Sequence, residues 1–167
     1  DVIQAITEIH KFLAAPVIRH ENPCFRPFFP WNARPLYTKM IYLSAEYHHE
    51  MITPDLSAAL YGFFDEMERE YAHLGIPQTI IHNDFNPRNI AVRSNGLPCI
   101  YDWELSVINI PHRDMVEFLS FSMEEDFNEE LFEEYLDFHY GLYADDPQRP
   151  DQKRWNNGYR YAIMEYL

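Results

Sequence analysis

The 167-residue chain has two cysteines, five glycines and three lysines, and each shortage excludes something. Cys24 and Cys99 form no CxxC pair and no disulfide framework, so a reducing, cytoplasmic setting is expected. The glycines stand scattered at positions 62, 75, 96, 141 and 158, and none builds a phosphate-cradling loop. A basic excess is also missing: 27 acidic residues against 13 basic ones give a formal charge of −14, which argues against nucleic acid or an anionic membrane as partner. No apolar run approaches the ~20 residues that cross a bilayer, and the opening DVIQAITEIH lacks the basic flank and apolar stretch of a signal peptide. There is no initiating Met, and both ends fall in helix-like patterns, so the expectation is a piece of a longer polypeptide.

Hydrophobic residues make up 47% and aromatics 16%, enough for the core of a single domain spanning 1–167. Val2, Ile3, Ile6, Ile9 and Leu13 recur at helical spacing, and Pro16 closes the segment. Residues 16–35 carry five prolines and read as an aromatic-rich loop, with Pro23 to Trp31 read as packing surface rather than as a lip over a ligand. A helix is predicted from Leu36 to about Met51. A second, capped by Thr53 with Pro54 in its first turn, carries Leu56, Leu60, Phe63, Met67, Tyr71 and Leu74 to a stop at Gly75. The texture then turns to short β-branched runs at Thr79–Ile81, Ile90–Val92 and Cys99–Tyr101. Asn95-Gly96 between the last two is a strong hairpin signal. Asp114 and Glu117 read as the N-terminal capping arrangement of a helix over about 115–123. Asn128 caps another that Gly141 ends, and a last segment starts near Trp155.

The chemistry concentrates in IIHNDFNPRNIAV, residues 80–92, and CIYDWE, residues 99–104. Phosphoryl transfer asks few groups of a protein: a carboxylate to orient the nucleophile and take its proton, and oxygen ligands for Mg²⁺ on the phosphates. Asp84 and Asn89 are separated by four residues, the spacing H-x-D-x-x-x-x-N by which a kinase catalytic loop places its base and a metal-binding amide. The hairpin brings Asp102 back to the end of the ladder where Asn89 sits. Singly, each of these residues has an ordinary use: Asp84 and Asn89 as turn residues, His82 as a core histidine. Together and in order they point to a kinase-like site. Arg88 reads equally as a phosphate contact or as an outward-facing side chain. His48-His49-Glu50 lacks the i, i+4 register of a helical zinc site and is assigned no function.

HNDFNPRN with IYDWE and IPHRDMVEFL resembles the C-terminal lobe of the aminoglycoside phosphotransferase and choline kinase family. The strong match covers 78–121, with looser similarity over 1–140 that includes ITEIHKFL and its His10. The resemblance implies a mostly helical α+β fold, the C-terminal lobe of a protein-kinase-like architecture with a small β-hairpin at the catalytic site. It implies ATP and Mg²⁺ as cofactors and a hydroxyl of a small, cationic molecule as phosphoryl acceptor. Asp84 takes the family's catalytic aspartate, and His82 joins it in the catalytic set in a loop-holding role. Asn89 and Asp102 take the metal- and nucleotide-binding positions, and Asp114 the aspartate that starts the next helix and anchors the catalytic loop.

The resemblance implies an N-terminal lobe with a phosphate-covering loop and a phosphate-pairing lysine, and neither is visible in these residues, so the lobe was either removed from the chain or is lacking in the natural protein, with the first expected. Lys11, Lys39 and Lys153 are the chain's only lysines, and none lies on a strand upstream of a helix, so the nucleotide-binding lobe is expected on the same polypeptide and the fragment alone is expected to be inactive. Trp103 and Glu104, just after Asp102, are placed to touch a cationic acceptor. The acidic run Glu124, Glu125, Asp126, Glu129, Glu130, Glu133, Glu134 and Asp137 reads mainly as a solvated face. DWE in place of DFG speaks against a protein kinase. The rival from another class is a non-catalytic binding or regulatory module built on the same lobe.

Overall fold

The computed structural model describes residues 1–14, 25, 27, 30–122 and 128–166. Most of the Pro23–Trp31 stretch, with Cys24, lies outside them, as do Glu124, Glu125 and Asp126. By its internal contacts the chain divides into two compact units: residues 1–27 with 75–167, and residues 28–74. The described residues are mostly helical, with two small antiparallel sheets, an α+β arrangement. None of the described helices is long and apolar enough to cross a membrane.

In the larger unit, α1 (Val2–Leu13) begins at Asp1, whose carboxylate accepts from the Ile3 amide, and buries Ile3, Ile6, Thr7 and His10, close to the predicted stripe. Strand β1 (Thr79–Ile81) is buried throughout. It pairs antiparallel with β4 (Val107–Asn109), a strand the sequence reading did not contain. Strands β2 (Ile90–Val92) and β3 (Pro98–Ile100) form the expected hairpin, with Ile90 opposite Ile100 and Gly96 at φ +81 in the turn. The helix predicted from 115 begins earlier: α4 is His112–Ser122, and Asp114 sits inside its first turn rather than at its cap. Its carboxylate is spent on tertiary contacts instead. Helix α5 (Glu129–Leu142) is capped by Asn128 as expected, through a bond from the Leu131 amide, but runs through Gly141 to Leu142, with Tyr143 as its C-terminal cap. Helix α6 (Gln152–Tyr166) packs on α4. That packing needs Gly158, where a Cβ would lie 2.4 Å from Ile76 Cδ1 and 2.9 Å from His112 Nε2.

In the smaller unit, α2 (Arg34–Tyr47) starts two residues before its predicted first residue. Pro35 is tolerated there because the first turn has no carbonyl partner for its missing N–H. Helix α3 (Pro54–Leu74) is capped by Thr53, whose Oγ1 accepts from the Leu56 amide, and stops at Gly75 with φ +63. It buries Phe64, Met67 and Leu74, so Phe64 takes the place predicted for Phe63. Tyr37 stacks on Phe64 at 5.3 Å, and Arg34 pairs with Asp65, joining the two helices.

Candidate functional site

The loop between β1 and β2 is held from beneath by two buried carboxylates on α4. Asp114, fully buried, accepts the amides of His82 at 2.7 Å and Asn83 at 2.8 Å, while His10 Nε2 lies 2.9 Å from its Oδ2. The buried charge thus has three donors, which a carboxylate out of water requires. Thr79 donates to the His10 carbonyl at 2.7 Å, tying the end of α1 to β1 beside it. Glu117 accepts the Phe85 amide at 3.3 Å and Arg113 Nη1 at 3.3 Å. Burial raises the Glu117 pKa above the usual carboxylate value, and the charges of Asp114 and Asp84 push in the same direction against Arg113.

Above this support Asp84 is half-buried, with both carboxylate oxygens hydrogen-bonded. Asn86 Nδ2 donates to Oδ1 at 2.9 Å, and Asn89 Nδ2 donates to Oδ2 at 2.8 Å and to the Asp84 carbonyl at 2.9 Å. The Asn89 amide gives its nitrogen to Asp84, so its oxygen is the atom left for a ligand. Asn86 also accepts the Arg88 amide and so caps the short 3₁₀ turn Pro87–Asn89. The ladder continues one step past β2 and β3, with the Tyr101 amide donating to the Asn89 carbonyl at 3.1 Å. Asp102 follows directly and is exposed. Asn83 at φ +61 and Asp102 at φ +67 both adopt the left-handed conformation, costly outside glycine and tolerated best by Asn and Asp. The strained backbone of the described residues therefore sits on either side of the site.

The predicted residues fall into three groups. Asp84, Asn89 and Asp102 are brought to one end of the β2–β3 ladder. His82 and Asp114 lie beneath it: the buried His82 ring donates from Nε2 to the Tyr101 carbonyl at 2.8 Å, fixing the residue before Asp102, and packs 4.7 Å from the Trp103 ring. Trp103 and Glu104 form the third group. The indole N–H of Trp103 is committed inward to the Ile100 carbonyl at 3.1 Å, whereas Glu104 is exposed. Arg88 is exposed, its guanidinium 5.9 Å from the Phe121 ring. Along α5, Glu129, Glu130, Glu133, Glu134 and Asp137 are exposed, as a solvated face requires. Asn86 and Glu117 were not singled out from the sequence for the site. Asn86 before Pro carries a cap signal, whereas Glu117 three residues after Asp114 reads as half of a helix cap.

Among the described residues no group of three or more His, Cys, Asp or Glu could hold a metal alone. Magnesium does not need one, because it keeps several waters and takes phosphate oxygens beside one or two protein ligands. The Asn89 amide oxygen and the Asp102 carboxylate are hard oxygen donors that fit such a site. A groove of about 570 Å³ between α5 and α6, lined by Phe132, Lys153 and Arg160 among others, includes none of these residues. No curated protein and no solved structure matches the chain. The model of the phosphotransferase enzyme family matches residues 1–151, covering the loop, its carboxylate supports and the hairpin. The chain belongs to the phosphotransferase enzyme family.

Proposed function

We propose that the chain is the acceptor-side lobe of an ATP- and Mg²⁺-dependent phosphotransferase acting on a hydroxyl of a small cationic molecule. The observation that carries this reading is the pair of hydrogen bonds that Asn89 Nδ2 donates to the carbonyl and the carboxylate of Asp84, which orients the base and frees the amide oxygen, with Asp102 one ladder step away. Asp84 orients the acceptor hydroxyl and receives its proton as the oxygen attacks phosphorus. Asn89 and Asp102 would hold Mg²⁺, which when bound offsets charge on the phosphates. His82 and Asp114 act through the loop and are positioning residues. The lysine that pairs with the phosphates belongs, in this reading, to a lobe outside these 167 residues. A formal charge of −14, with Glu104 and the exposed acidic face of α5, favours a cationic acceptor.

The test is ATP-dependent phosphorylation of a panel of amino alcohols and aminosugars by the complete polypeptide. Asp84→Asn is expected to lower turnover about 10²–10⁴-fold while leaving nucleotide affinity intact. Asp102→Ala is expected to weaken Mg²⁺-dependent nucleotide binding. Undiminished turnover in the first variant, or undiminished metal dependence in the second, removes that residue from its role.

A further inference from the structure

Helix α2 buries none of its residues. Leu36, Met40, Leu43 and Tyr47 recur at intervals of four, three and four, and are 59%, 52%, 38% and 74% exposed. At 3.6 residues per turn they occupy an arc of about 60°, centred about 120° from the Arg34–Tyr37 face that meets α3. This is the a/d seam of a coiled coil laid on the surface, and contiguous exposed apolar stripes of that kind mark interaction sites. Lys39 and Glu46 are one heptad apart on one flank of the seam, and neither makes an ion pair among the described residues. In an antiparallel pairing, two such flanking positions from different helices meet.

We propose that α2 is a self-association surface, pairing antiparallel with α2 of a second copy about a two-fold axis. Leu36 then faces Tyr47 of the second copy, Met40 faces its Leu43, and each Lys39 lies beside the other copy's Glu46. The flanking charges are self-complementary, as an isologous contact requires. A parallel pairing offers neither charge an opposite partner. The seam from Leu36 to Tyr47 is only about 17 Å long, so it buries less than the ~800 Å² per partner of a stable complex, and weak association is expected. The occupant argued for is a second copy because Lys39 and Glu46, seven residues apart on one flank, give the helix opposite charges that match its own reversed image.

Sedimentation equilibrium of the complete polypeptide across about 5–200 µM reads the association directly. The expected result is a concentration-dependent rise from one chain mass towards two. Met40→Glu combined with Leu43→Glu should hold the protein monomeric while its circular dichroism stays unchanged. Lys39→Glu alone should weaken association about five- to tenfold, as should Glu46→Lys, and the two combined should restore it. A monomer at every concentration overturns the proposal, and so does a dimer indifferent to the seam variants. Failure of the combined charge swap to restore association overturns the antiparallel register.

Discussion

The two units use their residues in opposite ways. In the larger one polar side chains are inside: Asp114, His82, His10 and Glu117 are buried, and the carboxylates are aimed at the amides of residues 82, 83 and 85. In the smaller one, beside α3 with its buried Phe64, Met67 and Leu74, a helix with no fully buried residue carries a row of exposed apolar side chains. Buried charge contributes little net stability but leaves a backbone with one acceptable position. A surface stripe contributes nothing to its own unit and is available to something else. The first region is organised to fix a loop, and the second leaves a face uncommitted.

The comparison is tested most severely at Asp114. Asp114→Ala orphans two amides and the His10 imidazole in the core, and it should cost about 3–5 kcal/mol in denaturant unfolding. A loss under about 1 kcal/mol would mean the loop keeps its shape without this anchor. Gly158→Ala comes next. Its Cβ would press on the tip of Ile76 and on the fully buried His112 ring, and about 1–3 kcal/mol of destabilisation is expected. A neutral result would show that α4 and α6 can separate slightly without penalty.

The hairpin and the pairing of Asp84 with Asn89 are legible because their determinants are local: an Asn-Gly turn, and an Asp and Asn five positions apart. What escaped depends on partners far along the chain. Strand β4 is three residues long, and its pairing with β1 spans almost thirty positions. Asp114 and Glu117 have the spacing of a capping pair, yet burial gives them amides of the β1–β2 loop instead. Gly141 reads as a helix stop but lies within α5, since a glycine ends a helix only where the backbone turns left-handed, as at Gly75. The two-unit division was not legible either, because the seam on α2 has the same periodicity as a buried stripe.

The larger unit also carries opposed pH dependences. Burial lowers the His112 pKa to about 3, so its contribution is present above the unfolded value near 6.5 and is lost as pH falls towards 3. Burial raises the Glu165 pKa to about 7, against Arg113 and the Asn109 bond; its contribution is present below about 4.5 and is lost as pH rises through 7. Glu165→Gln should therefore flatten the decline in stability between pH 5 and 8, measured by urea unfolding at each pH. An unchanged slope would assign that decline to other groups, Glu117 first, because burial shifts it in the same direction.

The smallest effect is the one that separates the units most cleanly. Truncating Ile6, fully buried on α1, to Ala removes packing that the core cannot replace and should cost about 2–5 kcal/mol. Truncating Met40, 52% exposed on α2, removes contact mainly with water and should change stability by no more than about 0.5 kcal/mol. The measurement belongs at low micromolar concentration, where association through α2 adds nothing to either value. A Met40→Ala cost near that of Ile6→Ala would mean the stripe is already covered within one chain, and the surface described for α2 would be an interior.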